Sequence, residues 1–172
     1  MLKVLELSDF DQMYRLMEDS FPQDEYRPGA AQKALFDDPA YRVYTHYDDN
    51  HTLLAFLAVW DFSDFAFVEH FAVKPECRNG GLGSRLLQEL ASLLNKPLCL
   101  EAELPENDLA KRRIAFYQRN HFCQNPYPYQ QPALAPDQNP VPLCIMTRPA
   151  PITQAEFIAL RDALYEKVYK VK

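Results

Sequence analysis

The sequence predicts a mixed α/β domain of the α+β type. Three observations carry that reading. Apolar residues recur at helical spacing in five segments, other runs are rich in β-branched and aromatic residues, and the two kinds interleave as β-α-α-β-β-β-α-β-α-β-β-α. The chain has 172 residues, a length that fits one domain. A domain near this size hides roughly 70% of the surface of its unfolded chain, so it needs no disulfide or metal to fold.

Val4 to Leu7 reads as a short first strand. Ser8 then opens a helix, with Asp11 in a capping-box-like position and Phe10, Met13, Leu16, Met17 and Phe21 as its apolar stripe. Pro22 ends it, and Gln23 to Pro28 is a polar loop. Gly29 to Phe36 is a second short helix. Tyr41 to Tyr47 and Leu53 to Phe62 are strands that pair as a hairpin around Asp48-Asp49-Asn50. Phe65 to Val73 is a third long strand, with Phe65, Phe67, Glu69, Phe71 and Val73 on one face if no bulge interrupts the pleat.

Arg78 to Gly83 holds three of the four glycines and leads into a helix from Ser84 to Asn95, with Leu82, Leu86, Leu90 and Leu93 at helical spacing. Pro97 to Glu103 is a strand, Asp108 to Asn120 a helix, and Phe122 to Gln124 a strand start. Eight of the 14 prolines fall from Pro126 to Pro151. This stretch cannot be helical, and Leu143 to Thr147 is its one clear strand. Tyr127, Tyr129 and Leu134 give it enough apolar surface to pack as an ordered flap. Thr153-Gln154-Ala155-Glu156 is a capping box for a last helix. Its stripe of Phe157, Leu160, Leu164, Val168 and Val171 must be covered by the domain or by a second subunit. The body then spans residues 1–148, with residues 149–172 as a C-terminal amphipathic helix packed on it.

Composition narrows the function. Eighteen Lys and Arg stand against 24 Asp and Glu, for a net charge of −6. That balance, with scattered basic residues, argues against nucleic acid. The longest apolar run, Leu53 to Trp60, is far short of the about 20 residues that cross a membrane, and no secretory leader opens the sequence. Cys77, Cys99, Cys123 and Cys144 form no C-x-x-C pair, which suggests reduced thiols and a cytoplasmic setting, with no metal site.

The informative unit is the strand ending at Val73, the glycine turn and the helix after it. The first amides of a helix lack internal partners, and the helix dipole adds positive charge there. Glycine lets a phosphate approach the backbone. The turn is therefore suited to a pyrophosphate, although a simple tight turn has the same composition. No Lys follows the glycines, as a P-loop requires. Leu86 stands where a dinucleotide fingerprint wants a small residue.

Arg78-x-x-Gly81-x-Gly83 resembles the acyl-CoA-binding signature of the GNAT N-acetyltransferase superfamily. The strand end Phe71-Ala72-Val73-Lys74-Pro75 before it, and Phe116-Tyr117-Gln118-Arg119-Asn120-His121-Phe122 after it, match that family in order and spacing. The resemblance implies a central, mostly antiparallel, splayed sheet with helices on both faces. It also implies acetyl-CoA in a cleft between strands 65–73 and 97–103. Backbone groups of Phe71 and Val73 would pair with the pantetheine arm like an added strand, with Ala72 between them. Arg78 and the amides of Gly81, Leu82, Gly83, Ser84 and Arg85 would hold the pyrophosphate. The implied reaction is direct transfer of the acetyl group to a primary amine in a ternary complex.

That chemistry asks for a proton acceptor near the amine and a donor near the leaving sulfur. Glu69 is the base candidate, since a charge on an apolar strand is costly unless it is paired or faces a cleft. A Glu paired with a neighbouring Arg remains the alternative. His70 is expected on the opposite face. The resemblance gives Tyr117 a general-acid or sulfur-positioning role; an ordinary Tyr, with a pKa of about 10, is protonated at neutral pH. Two positions depart from the family: Ala110 replaces a cofactor-contacting Asn, for which Asn107 is the substitute, and His121 replaces a Gly. Lys111, Arg112 and Arg113 are candidates for the adenosine phosphate.

The acceptor site implied by the resemblance draws on Asp19 to Pro28 and Tyr127 to Pro142, with Glu25, Tyr26 and Tyr129 as candidate contacts. An acidic, aromatic mouth suits a cationic amine, whether a small molecule or a peptide. Arg27 beside Glu25 leaves the sign of that mouth open. The alternative function is an acyl-CoA binder without catalysis, a sensor or scaffold. The terminal helix allows a homodimer.

Overall fold

A computed structural model describes residues 1–171. The chain divides into two compact units, residues 1–96 and residues 97–172. The first contains β1 (Lys3–Val4), α1 (Phe10–Ser20), α2 (Gly29–Ala34), β2 (Tyr41–Tyr47), β3 (Leu53–Asp61), β4 (Ala66–Val73) and α3 (Leu82–Leu94). Short 3-10 turns cover Leu7–Asp9, Gln23–Glu25, Leu35–Asp37 and Pro75–Cys77.

Strands β1 to β4 pair antiparallel in sequence order. Every residue of β3 from Ala55 to Trp60 is buried, so this strand is covered on both faces, which is why it reads as one apolar run. Helix α1 packs on β3 and β4 through Phe10, Met13, Leu16 and Met17. Helix α2 is tied to β2 by a buried bond from Gln32 Nε2 to Tyr41 Oη at 2.7 Å.

The entry into α1 differs from the sequence reading. A 3-10 turn precedes the helix, Asp9 is the N-cap residue, and no side chain caps it. The Asp9 carboxylate instead accepts from Tyr47 Oη and pairs with His51 Nε2, each at 2.9 Å. The first strand is correspondingly shorter than Val4–Leu7 and starts at Lys3. In α3 the buried face is Leu86, Leu87 and Leu90, whereas Leu93 is exposed.

The second unit contains β5 (Leu98–Glu103), α4 (Asp108–Arg119), β6 (Cys123–Gln124), β7 (Tyr129–Gln131), β8 (Val141–Arg148) and α5 (Gln154–Lys167). Strand β8 is the hub and pairs antiparallel with β5, β6 and β7. Asn125 fastens the crossing: its Nδ2 donates to Ile145 O and Thr147 Oγ1, and its Oδ1 accepts from Ile152 N. The proline-rich stretch is an ordered flap, because β7 is sewn onto β8 and its aromatics meet α5.

Thr153 and Glu156 form the capping box that starts α5. Phe157 lies 5.0 Å from the Tyr127 ring and 6.4 Å from Tyr129, so the flap covers the start of the stripe, and Leu164 and Val168 further along it are buried. No helix among the described residues is long and apolar enough to cross a membrane.

Candidate active site

Strand β4 ends at Val73 and gives way to the Pro75–Cys77 turn and then to Arg78. The Arg78 side chain folds back and donates from Nε to Val73 O at 2.8 Å. Asn79 and Gly81 adopt φ of +66° and +79°, and Gly81 is the N-cap residue of α3. Left-handed backbone at Gly81 carries no Cβ penalty. An added Cβ at Gly80 or Gly81 would meet nothing within 4 Å, so both face open space. The first internal bond of α3 runs from Arg85 N to Gly81 O at 3.1 Å. The amides of Leu82 and Gly83 therefore have no acceptor within the helix. An exposed turn that presents these amides at the positive end of a 13-residue helix fits a diphosphate. One expectation changes: the Arg85 amide is committed to the helix.

The register of β3 against β4 slips between Ala58↔His70 and Val59↔Val68, which leaves Glu69 as the extra residue of a bulge. The bulge breaks the alternation that would have put Glu69 and His70 on opposite faces. Both side chains turn to the segment joining α1 and α2. Glu69 Oε1 accepts from Arg27 Nη1 at 2.6 Å, and Oε2 accepts from Trp60 Nε1 at 2.9 Å. His70 Nε2 donates to Glu25 O at 2.7 Å, while its Nδ1 is buried without a hydrogen-bond partner, 4.0 Å from Glu69 Oε2. The edge of His70 packs on Phe21.

The Glu69 and Arg27 side chains are only 3% and 8% exposed. Burial alone would push the Glu69 carboxyl up; Arg27 foremost, then His70 and the bonds from Arg27 and Trp60, outweigh it and hold it below the usual range. Burial pushes the His70 imidazole down, and the Glu69 charge and the Glu25 carbonyl reverse this only in part. Of the two alternatives open for Glu69, the structure has the Arg-paired one. The sequence reading placed neither Arg27 nor Trp60 at this carboxylate. The only signal was that an acid in an apolar strand needs a cation.

Glu25 and Tyr26 stand in and just after the Gln23–Glu25 turn, half-buried. The Tyr26 ring meets Tyr14 edge-on at 6.0 Å. The Tyr14 hydroxyl donates to Arg27 O at 3.1 Å. Burial raises both phenols, and the exposed Glu18 carboxylate raises them further.

In the second unit Tyr117 lies on the last turns of α4, half-buried between Phe116 and Phe122. Its hydroxyl makes no hydrogen bond among the described residues. Burial pushes the phenol up to about 12, with Arg113 pulling it down and Glu103 raising it. Arg113 itself pairs with Glu103 at 2.7 Å, while Lys111 and Arg112 are exposed. His121 takes φ of +68°, the conformation its place after the helix requires. Asn107 is the N-cap of α4, and its Oδ1 accepts from Ala110 N at 2.9 Å. That oxygen serves the helix, and Ala110 is fully buried. Tyr129 is buried too, and its hydroxyl donates to Glu101, which also accepts from Tyr169. It packs the flap and α5 and presents no open face to an acceptor.

The His70 environment sets a pH dependence. Its pKa is depressed in the native state, so the unfolded chain takes up a proton first as pH falls through about 6.5. Stability is lost on that descent, whereas the depressed Glu69 carboxyl costs stability only at lower pH, as the chain passes below about 4.5. His70→Gln keeps a donor for Glu25 O and removes the imidazole. The melting temperature of the native chain should fall relative to this variant between pH 7.5 and pH 5.5, each value being roughly one pH unit from the ordinary imidazole midpoint. Parallel melting profiles would refute the assignment.

Four similarities place the chain among known proteins. Residues 10–122 match the family model described as the acetyltransferase (GNAT) family. YjbC of Bacillus subtilis (strain 168), assigned as an acetyltransferase, is 28% identical over 162 residues, 92% of this chain and 82% of that protein. A Bacteroides thetaiotaomicron structure assigned to the GNAT acetyltransferases aligns with a TM-score of 0.90 at 33% identity, covering 100% of this chain and 99% of the other. An aminoglycoside 6'-N-acetyltransferase complexed with coenzyme A shares the fold at a TM-score of 0.64 and 14% identity, over 90% and 99% of the two chains. The glycine turn on α3, the bulged β4 and the Tyr117 helix thus belong to a mixed α/β fold of known kind, and the chain is a member of the GNAT family of acetyl-CoA-dependent acetyltransferases.

Proposed function

We propose that the chain acetylates a primary amine carried by a cationic acceptor, in a ternary complex with acetyl-CoA. The observation that carries the cofactor half is the Gly81 turn, with the helix-start amides of Leu82 and Gly83 behind an exposed glycine. Leu82, Gly83 and Ser84 would hold the diphosphate, with Arg78 beside them and Phe71 and Ala72 along the pantetheine arm. Bound acetyl-CoA supplies an activated thioester. Tyr117 offers the sulfur a hydroxyl with no competing partner, and its raised pKa keeps the proton in place at any working pH.

Glu69 is a poor proton acceptor in this arrangement. Its carboxyl is held down, and Arg27 and Trp60 occupy both oxygens. We therefore give it a supporting role and let the amine arrive neutral or lose its proton to water. Pairing with Glu69 also supports an acidic acceptor segment, because the Arg27 charge is buried and compensated. Glu18 remains exposed, close enough to raise Tyr14 and Tyr26, and an acid beside two phenol rings suits a cation.

Acetyl-CoA should raise the melting temperature, and Gly81→Asp should abolish the rise by placing a side chain and a negative charge on a left-handed position. No shift in the native chain at roughly a hundredfold excess over an ordinary dissociation constant would remove the cofactor assignment. Tyr117→Phe should lower turnover about tenfold or more, the loss of a hydrogen bond to a charged group, with cofactor affinity unchanged. Equal turnover in a chemistry-limited assay would reject that role. In an amine panel read by release of free CoA thiol, dicationic amines should exceed neutral ones in kcat/KM by about tenfold, an advantage that shrinks as salt shortens the Debye length. A preference for neutral or acidic amines would overturn the cationic acceptor; a flat panel with cofactor binding intact would favour a binder without catalysis.

A further inference from the structure

Arg27 is the one basic residue in the segment from Phe21 to Pro28, and it is buried. Its guanidinium reaches the bulged residue of β4, Glu69, at 2.6 Å. Two more bonds fasten the same segment: His70 Nε2 to Glu25 O at 2.7 Å, and Tyr14 Oη to Arg27 O at 3.1 Å. Trp60 holds the far oxygen of Glu69 and so fixes the carboxylate that Arg27 grips. The segment is thus pinned to β4 and α1 by a side chain and by two carbonyls within three residues.

A buried ion pair of this kind is a weak source of net stability. Desolvation of both groups offsets most of their attraction, and an apolar pair of similar size is often as stable. What the pair supplies is a fixed geometry. An apolar contact tolerates sliding, whereas a guanidinium on a carboxylate already held by an indole N–H admits one arrangement. The bulge matters for the same reason, since it turns Glu69 and His70 together towards the segment.

We infer that Arg27 is a positioning residue: through Glu69 it locks the segment carrying Asp24, Glu25 and Tyr26 against the β4 bulge, and so sets the acceptor side of the site. The inference rests on the reading that this segment faces the acceptor amine. Glu69 is then the anchor of the acceptor segment, and its carboxylate is held for Arg27 rather than for a proton.

The test uses the full chain and four variants: Arg27→Met, Arg27→Lys, Glu69→Gln and the double variant Arg27→Met with Glu69→Gln. Hydrogen exchange by mass spectrometry reads the amides of residues 23–27. These should exchange about tenfold faster or more in Arg27→Met, Glu69→Gln and the double variant, the mark of a local opening, while β2, β3 and α3 keep their rates. Arg27→Lys, which keeps the charge without the planar fork, should fall between. The double variant leaves no buried charge unpaired, so it separates loss of position from loss of folding. With the best amine from the panel, KM should rise about tenfold in Arg27→Met, with kcat changed much less, and Arg27→Lys should recover part of the loss.

Unchanged exchange at residues 23–27 would overturn the inference. So would a uniform acceleration over the whole first unit, or a loosened segment with an unaltered amine KM. The acetyl-CoA melting shift of the native chain tests the cofactor reading separately. If no amine in the panel is acetylated, segment exchange alone decides for or against the Arg27 lock.

Discussion

A carboxylate on an apolar strand has to be satisfied where it stands, and much of the first unit is arranged around that demand. Glu69 interrupts a run of buried residues in β4. Left alone it would take a proton or pull the strand open. The bulge gives it a direction of its own, Trp60 from the neighbouring strand takes one oxygen, and Arg27 from the α1–α2 segment takes the other. The segment cannot leave without exposing a buried charge, so a local electrostatic need becomes a long-range constraint on the chain. His70, brought to the same side by the same bulge, adds a main-chain tether at Glu25.

The α3 turn obeys a different logic. It is built from groups left unsatisfied inside the helix. The backbone at Gly81 is left-handed, and the two amides that follow, of Leu82 and Gly83, stand at the helix start with no internal acceptor. Of Gly80 and Gly81, only Gly81 has a positive φ, so its glycine is needed for backbone shape. An added Cβ at Gly80 would meet open space, so glycine there serves access. Arg78 bends back to the Val73 carbonyl and ties the end of β4 to the start of the turn. The positive end of α3 is thereby held at the end of the strand that carries the bulge.

Strands were the most legible part of the sequence. Tyr41–Tyr47 appears as read, and Leu53 to Trp60 announces a strand covered on both faces because no polar residue interrupts it. The glycine turn was legible for a similar reason: its signal lies in six consecutive residues. What stayed hidden depends on partners distant in sequence. A bulge leaves no composition of its own, and the Arg27–Glu69 pair spans 42 positions. Ser8 looks like a helix cap, but Asp9 is drawn to Tyr47 and His51 and the helix starts later, after a 3-10 turn. Tyr129 looked like a mouth residue because it sits in a proline-rich stretch; Glu101 and α5 enclose it instead. Asn107 looked free for a ligand and is spent as a cap.

The raised phenol of Tyr117 constrains what it can do. With a pKa pushed up to about 12, it is a weaker acid than a thiol near 8.5, and complete transfer of its proton to a free thiolate is uphill. A hydrogen bond is another matter. It needs no transfer, it strengthens as charge gathers on the sulfur, and it is worth most where water is scarce. The surroundings of Tyr117 favour that role. Phe116 and Phe122 hold the ring, and no neighbour competes for the hydroxyl. Arg113, paired with Glu103, keeps the nearby charge close to balance. A phenol that holds its proton throughout can steady a leaving thiolate without ever needing to be recharged, and the sulfur can take its own proton from water on release. The carboxylate on β4 and the phenol on α4 thus share a feature. Each is kept in one protonation state by its surroundings, Glu69 charged and Tyr117 neutral, so the roles proposed for them rest on position and charge rather than on exchange of a proton.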